Sequence, residues 1–185
     1  MARISTYPID STVNVNDFVI GTDSEDSNIT KNYTIASIIS LAPGTVYINA
    51  ADVTGTFQTI FANTTDFVSL NSVLASQLAS GWSVGSSPNQ NRVVYTNATT
   101  RVCSLTFTVN ITGTSGDDIV FSLFKNGVKI AGTEQKVEIP ALTAALTMQA
   151  LVSMATNDYI EVKVKNTTAT NNVTTTHLNV VAQSL

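Results

Sequence analysis

Apolar and polar residues alternate with a period of two through most of the second half of the chain. In Arg101–Thr112, Cys103, Leu105, Phe107, Val109 and Ile111 take one side, and Val102, Ser104, Thr106 and Thr108 the other. That is a strand with one core face and one polar face. YIEVKVKN (159–166) repeats the pattern, with Ile160, Val162 and Val164 set against Glu161, Lys163 and Lys165. Ala145–Met154 aligns Leu146, Met148, Ala150 and Val152. His177–Leu185 sends Leu178 and Val180 inward and Val181 the opposite way. Shorter strands are expected at Val46–Ile48, Arg92–Tyr95 and Lys136–Ile139, the last ended by Pro140.

FSLFKNGVKI (121–130) reads as a hairpin with its two-residue turn at Asn126-Gly127, a pair that tolerates the positive φ angles a type I′ turn needs. Ile119, Phe121 and Leu123 point one way, Val120 and Phe124 the other. A strand with two apolar faces needs two covers. The expectation is that a second copy of the chain supplies the second one. Gly113–Asp117 and Asn157-Asp158 read as turns, and Thr167–Thr176 as a polar loop.

Earlier segments are less regular. Phe67, Leu70, Leu74 and Leu78 recur at helical spacing behind a possible cap at Thr65 or Asp66, so residues 66–80 fit a helix; Val68, Leu70 and Val73 fit a strand and loop equally. Gly81-Trp82 is a break followed by a packing anchor, and Gly85–Asn91 is a loop. Residues 1–44 stand apart from 45–185. They hold a short apolar run, Phe18–Ile20, a turn signal at Gly21-Thr22-Asp23, an acidic loop, an extended Lys31–Tyr33, and a short helix capped by Thr34 and closed by Pro43-Gly44. This segment is too short and polar to bury a core of its own, so it is expected to order against a partner.

Composition narrows the function. Of 185 residues, 43% are hydrophobic and only 12% charged, about half the usual charged share. Thr, Asn and Ser supply the polarity, which suits pleated surfaces and tight turns. A weakly charged surface is also common where subunits bury much of their outside. A net charge of −4 with scattered basic residues argues against nucleic acid, and no apolar run is long enough for a membrane span. The single cysteine, Cys103, reads as a small core residue. The single histidine, His177, has no local partners for a catalytic triad and reads as solvent-facing or interfacial. Asp117-Asp118 and the Asp23, Glu25, Asp26 cluster read as solvated turn carboxylates rather than calcium ligands. Trp82 and Tyr95, with Asn89 and Asn91 nearby, read as packing rather than a sugar platform. No catalytic residue, cofactor or metal is expected, and the chain is not expected to be an enzyme.

Two resemblances add to this. NDFVIGTDSEDSNITKNYTIASIISL (16–41) resembles the N-terminal segments of tailed-bacteriophage fibre and virion appendage proteins. That likeness implies a virion attachment segment, with Phe18, Ile20, Ile38 and Ile39 as its apolar contacts. From about residue 82 onward, FSLFKNGVKI, ALTMQALVSM, NDYIEVKVKN and the closing strand resemble the trimeric jelly roll of the tumour-necrosis-factor and complement globular-head superfamily. This implies an all-β antiparallel jelly-roll sandwich over 45–185, three copies about an axis, with Val120, Phe124, Leu151 and Val181 at the trimer interface. Together they imply a structural virion protein, a homotrimeric head fibre or capsid decoration protein assembled in the bacterial host. The alternative is a tail fibre whose distal loops bind host surface glycans; Gly113–Asp118 and Thr167–Thr176 hold no aromatic residue to support it.

Overall fold

The computed structural model describes residues 16, 18–23, 29–34, 46–52, 57–141 and 143–185. The chain divides into two compact units, Met1–Gly44 and Thr45–Leu185. In the first, β1 (Phe18–Asp23) and β2 (Ile29–Thr34) form an antiparallel pair. The Gly21-Thr22-Asp23 stretch expected to turn instead continues β1, because Lys31, Thr30 and Ile29 pair with it. The short helix expected after Thr34 lies outside the described residues.

The second unit is a sandwich of two antiparallel sheets, with no helix among the described residues. One sheet runs β13 (Thr143–Met154), β9 (Arg101–Thr112), β15 (Val173–Ser184), β3 (Tyr47–Asp52), β6 (Leu74–Ser80), with β4 (Phe57–Thr59) also on β15. The other runs β11 (Val128–Lys129), β10 (Asp118–Lys125), β14 (Tyr159–Asn166), β8 (Arg92–Tyr95), β7 (Trp82–Val84). There β12 (Gln135–Glu138) also pairs β10, and β5 (Val68–Ser69) pairs β14. β15 starts at Val173, inside the stretch expected to be loop, because Val173–Thr175 pair with β4.

The core lies between the sheets where the alternation places it. Cys103, Leu105, Phe107, Val109 and Ile111 are buried against Ile119, Phe121 and Leu123 of β10, Ile160, Val162 and Val164 of β14, and Leu178 and Val180 of β15. Cys103 is a free core thiol; burial pushes its pKa up, against a smaller downward pull from Arg101. Trp82 and Tyr95 pack edge to face at 5.0 Å, so both are anchors of the core. The hairpin turn forms at Asn126 (φ 50°) and Gly127 (φ 79°), with Lys125 opposite Val128. Its side-chain amide donates to Asp158 Oδ1 at 2.6 Å and accepts from the Tyr159 N–H at 2.9 Å. Two turns at one end of the sandwich are thereby tied together.

Residues 66–80 are strand and loop, not helix. The stretch from Phe57 to Val84 is four short pieces that change sheet: β4 lies on β15, β5 on β14, β6 on β3 and β7 on β8. Asp117 is buried rather than solvated: it accepts from Asn166 Nδ2 at 2.8 Å and Asn171 Nδ2 at 3.1 Å. Asp118 pairs with Lys136 at 2.7 Å.

Candidate association surface

The outward faces of the two sheets differ in kind. Across β3, β6, β9, β13 and β15 the only residues of ionisable type are Tyr47, Asp52, Arg101, Cys103 and His177. Cys103 is in the core, and Asp52 and Arg101 sit at strand ends on the inward parity. The outward face of the six-stranded sheet thus carries no Lys, Arg, Asp or Glu among the described residues. Four large aliphatics stand on it instead: Leu151 (67% exposed), Leu78 (59%), Val102 (48%) and Val181 (44%). Register brings them close. Val181 lies opposite both Thr106 and Asn49, Asn49 opposite Leu78, and Leu151 opposite Ser104, two residues from Thr106.

One border of this sheet is β13. Its twelve residues, TAALTMQALVSM, hold no charge and no proline. Among the described residues it pairs only with β9. Soluble proteins blunt such an edge with charges, proline, bulges or shortness; β13 has none of these.

The seven-stranded sheet carries the charge. Its outward ion pairs are Arg92–Glu161 (3.1 Å), Lys163–Glu161 (3.5 Å), Lys129–Glu134 and Lys136–Asp118 (each 2.7 Å), while Lys125–Asp158 (2.7 Å) closes one end of the sandwich, where Lys125 also donates to the Ser153 carbonyl of β13 at 2.6 Å. Glu161 is fully buried, and its Oε2 also accepts from Ser69 at 2.8 Å. This pins β5 onto the sheet face. Phe67, just before β5, stacks on Phe124 at 5.4 Å between centroids, and Lys163 and Lys165 lie over the two rings at 4.9 and 4.7 Å. Balanced pairs and snorkelling lysines of this sort make a solvent-facing surface.

The four residues expected at a trimer interface therefore separate into two pairs. Leu151 and Val181 share the uncharged face. Val120 and Phe124 are on the other sheet, only 5% and 8% exposed within a single chain. Their second apolar face is real, but the chain's own Phe67 and lysine stems cover it, so no second copy is needed there. Leu78 and Val102 belong with Leu151 and Val181 and were not expected. The signal for them was available, since charge is missing from whole strands rather than from scattered positions. Of the expected attachment residues, Phe18 and Ile20 lie in β1 and Ile38 and Ile39 lie outside the described residues. His177 is exposed on the uncharged face. Among the described residues no three His, Cys, Asp or Glu side chains group as metal ligands, and no helix is long and apolar enough to cross a membrane.

Two antiparallel sheets in this order define an all-β jelly roll of the tumour-necrosis-factor kind. Its solved neighbours include the Eiger TNF of S. frugiperda, with a TM-score of 0.50 and 14% identity over 76% of this chain and 92% of that one. They also include the PRD1 vertex protein P5, with a TM-score of 0.51 and 13% identity over 76% of this chain and 96% of that one. No protein-family model matches the chain, and no curated protein matches it in sequence.

Proposed function

We propose that the chain is a structural protein of a tailed-bacteriophage virion, a homotrimeric head fibre or capsid decoration protein whose work is binding rather than catalysis. The outward faces of three six-stranded sheets meet in the trimer. The salt-bridged sheets face solvent, and the N-terminal unit docks on the capsid or another virion protein through Phe18, Ile20, Ile38 and Ile39. The observation that carries this reading is the charge-free face with four exposed aliphatics, bordered by the unprotected strand β13.

Size supports a second copy as the occupant. Three strands of twelve residues and two of six and seven, at about 3.3 Å per residue and about 4.8 Å apart, offer on the order of 800 Å². A specific interface takes about that much from each partner. The shared fold with a vertex protein is consistent with a virion location. Docking of the N-terminal unit would order it at an entropic cost that apolar burial offsets.

Light scattering on a sizing column tests the reading, with the full chain run beside a version starting at Val46. A mass about three times 19.6 kDa for the full chain, with the shortened chain also trimeric, is expected. Monomers for both would overturn it.

A further inference from the structure

We propose that His177 makes this self-association acid-sensitive, so that three chains assemble near neutral pH and separate in acid. The inference rests on the trimeric reading above.

A β-bulge puts His177 where it is. Val173 and Thr175 face the core, and strict alternation would send residue 177 inward as well. The register slips between Thr175 and His177, so that His177 lies opposite Asn110 and the inward series resumes at Leu178, Val180 and Ala182. Thr176, the extra residue, ties its hydroxyl to the Asn110 carbonyl at 3.2 Å. Bulges commonly re-aim a side chain in this way. The strand that carries it is the middle one of the five in the sheet, and Val181 stands on the same face four residues on, about 13 Å away.

Among the described residues little nearby could hold an imidazolium. On β9 the facing residue is Asn110, and the charged residue, Arg101, is at the far end. β4 is Phe57–Thr59, with no charge. β3 offers Asp52, which ends the strand on the inward parity, while β6 and β13 offer nothing charged. Among the described residues Tyr47 is the other outward-facing residue of ionisable type, a phenol rather than a carboxylate.

A neutral imidazole can enter an uncharged interface with its two nitrogens hydrogen-bonded to the Asn and Thr side chains around it. A protonated one would be buried without a counter-charge, which is strongly unfavourable. The sign follows. Association favours the neutral form, so each buried His177 releases its proton when the chains meet in acid. On acidification the trimer formation constant should therefore fall by up to tenfold per pH unit for each histidine, and by up to a thousandfold for three.

The test is the solution mass of the full chain at about pH 8 and about pH 5, for the wild type, His177→Gln and His177→Lys. Far-UV circular dichroism confirms folding. The wild type should be trimeric at the higher pH and dissociate at the lower. His177→Gln should stay trimeric at both, and His177→Lys should be a folded monomer at both. A wild type equally trimeric at both pH values overturns the switch and leaves the trimer standing. A His177→Gln variant as acid-sensitive as the wild type also overturns it, by placing the titrating group elsewhere. A wild-type monomer at the higher pH sinks the trimer and the switch together.

Discussion

If three chains meet through their six-stranded sheets, replacing Leu151 and Val181 together by aspartate should give a folded monomer. In the single chain Leu151 keeps 67% of its surface in water and Val181 44%. Burying those remainders in an interface is worth about 1–2 kcal/mol for the leucine and about 1 kcal/mol for the valine, scaled from the full burial of such side chains. Three chains make that about 6–9 kcal/mol, which lowers the trimer formation constant by about 10⁴–10⁶ before any repulsion among the new carboxylates is added. The fold should scarcely notice. Both positions face solvent in the isolated sandwich, where a polar substitution costs under about 1 kcal/mol through strand preference. Light scattering over a dilution series reads the mass, and urea unfolding of the resulting monomer reads the fold. A variant that remains trimeric would place the contact on another surface. One that is monomeric and also unfolded would mean that these side chains stabilise the sandwich itself.

The opposite sheet should respond in the opposite way. Phe124→Ala removes the ring that stacks on Phe67 and should cost about 3 kcal/mol in chemical unfolding without changing the solution mass; a change of mass at unchanged stability would move Phe124 to a subunit contact. Arg92→Met leaves the fully buried Glu161 with Ser69 and a long contact to Lys163, and should cost about 2–3 kcal/mol, the low end for a broken buried pair because the arginine is partly exposed. Adding Glu161→Gln should restore most of that loss in the same melt. Burial pushes the Asp158 carboxyl up, but Lys125, the Ala155 N–H and Asn126 outweigh it and leave its pKa below the ordinary value. Its contribution is therefore present above about pH 4 and lost as the pH falls through the lower folded value, so Asp158→Asn should flatten the acid limb of a stability profile relative to wild type. An unchanged acid limb would count against it.

The elements that could be read from sequence are those whose own length repeats the signal. β9 carries six alternations, and the bounds Arg101–Thr112 are those observed. The Asn126-Gly127 turn is set by two adjacent residues and needs no distant information. The stretch from Phe57 to Val84 could not be read because its strands are two to seven residues long. Each is held by a different strand, and all but β7 by one distant in sequence, so pairing overrides local preference. Helical spacing of Phe67, Leu70, Leu74 and Leu78 was a coincidence of residues serving different neighbours: Phe67 covers Phe124, Leu70 and Leu74 enter the core, and Leu78 faces out. Periodicity shows that Phe124 must be covered, but not that the cover comes from Phe67 in the same chain. The uncharged face could be read in part. Leu151, Val181 and Val102 follow from parity, whereas Leu78 joins them once register sets it opposite Asn49.

β3 is where the sandwich joins the N-terminal unit, and it lies between β15 and β6, paired to both. Force applied at Tyr47 along the strand axis would act on β3 first. A strand pulled along its own axis between two partners must break both ladders nearly at once, since antiparallel hydrogen bonds lie perpendicular to the pull. An edge strand peeled sideways would give way one bond at a time. A load along that strand would thus meet shear resistance rather than unzipping.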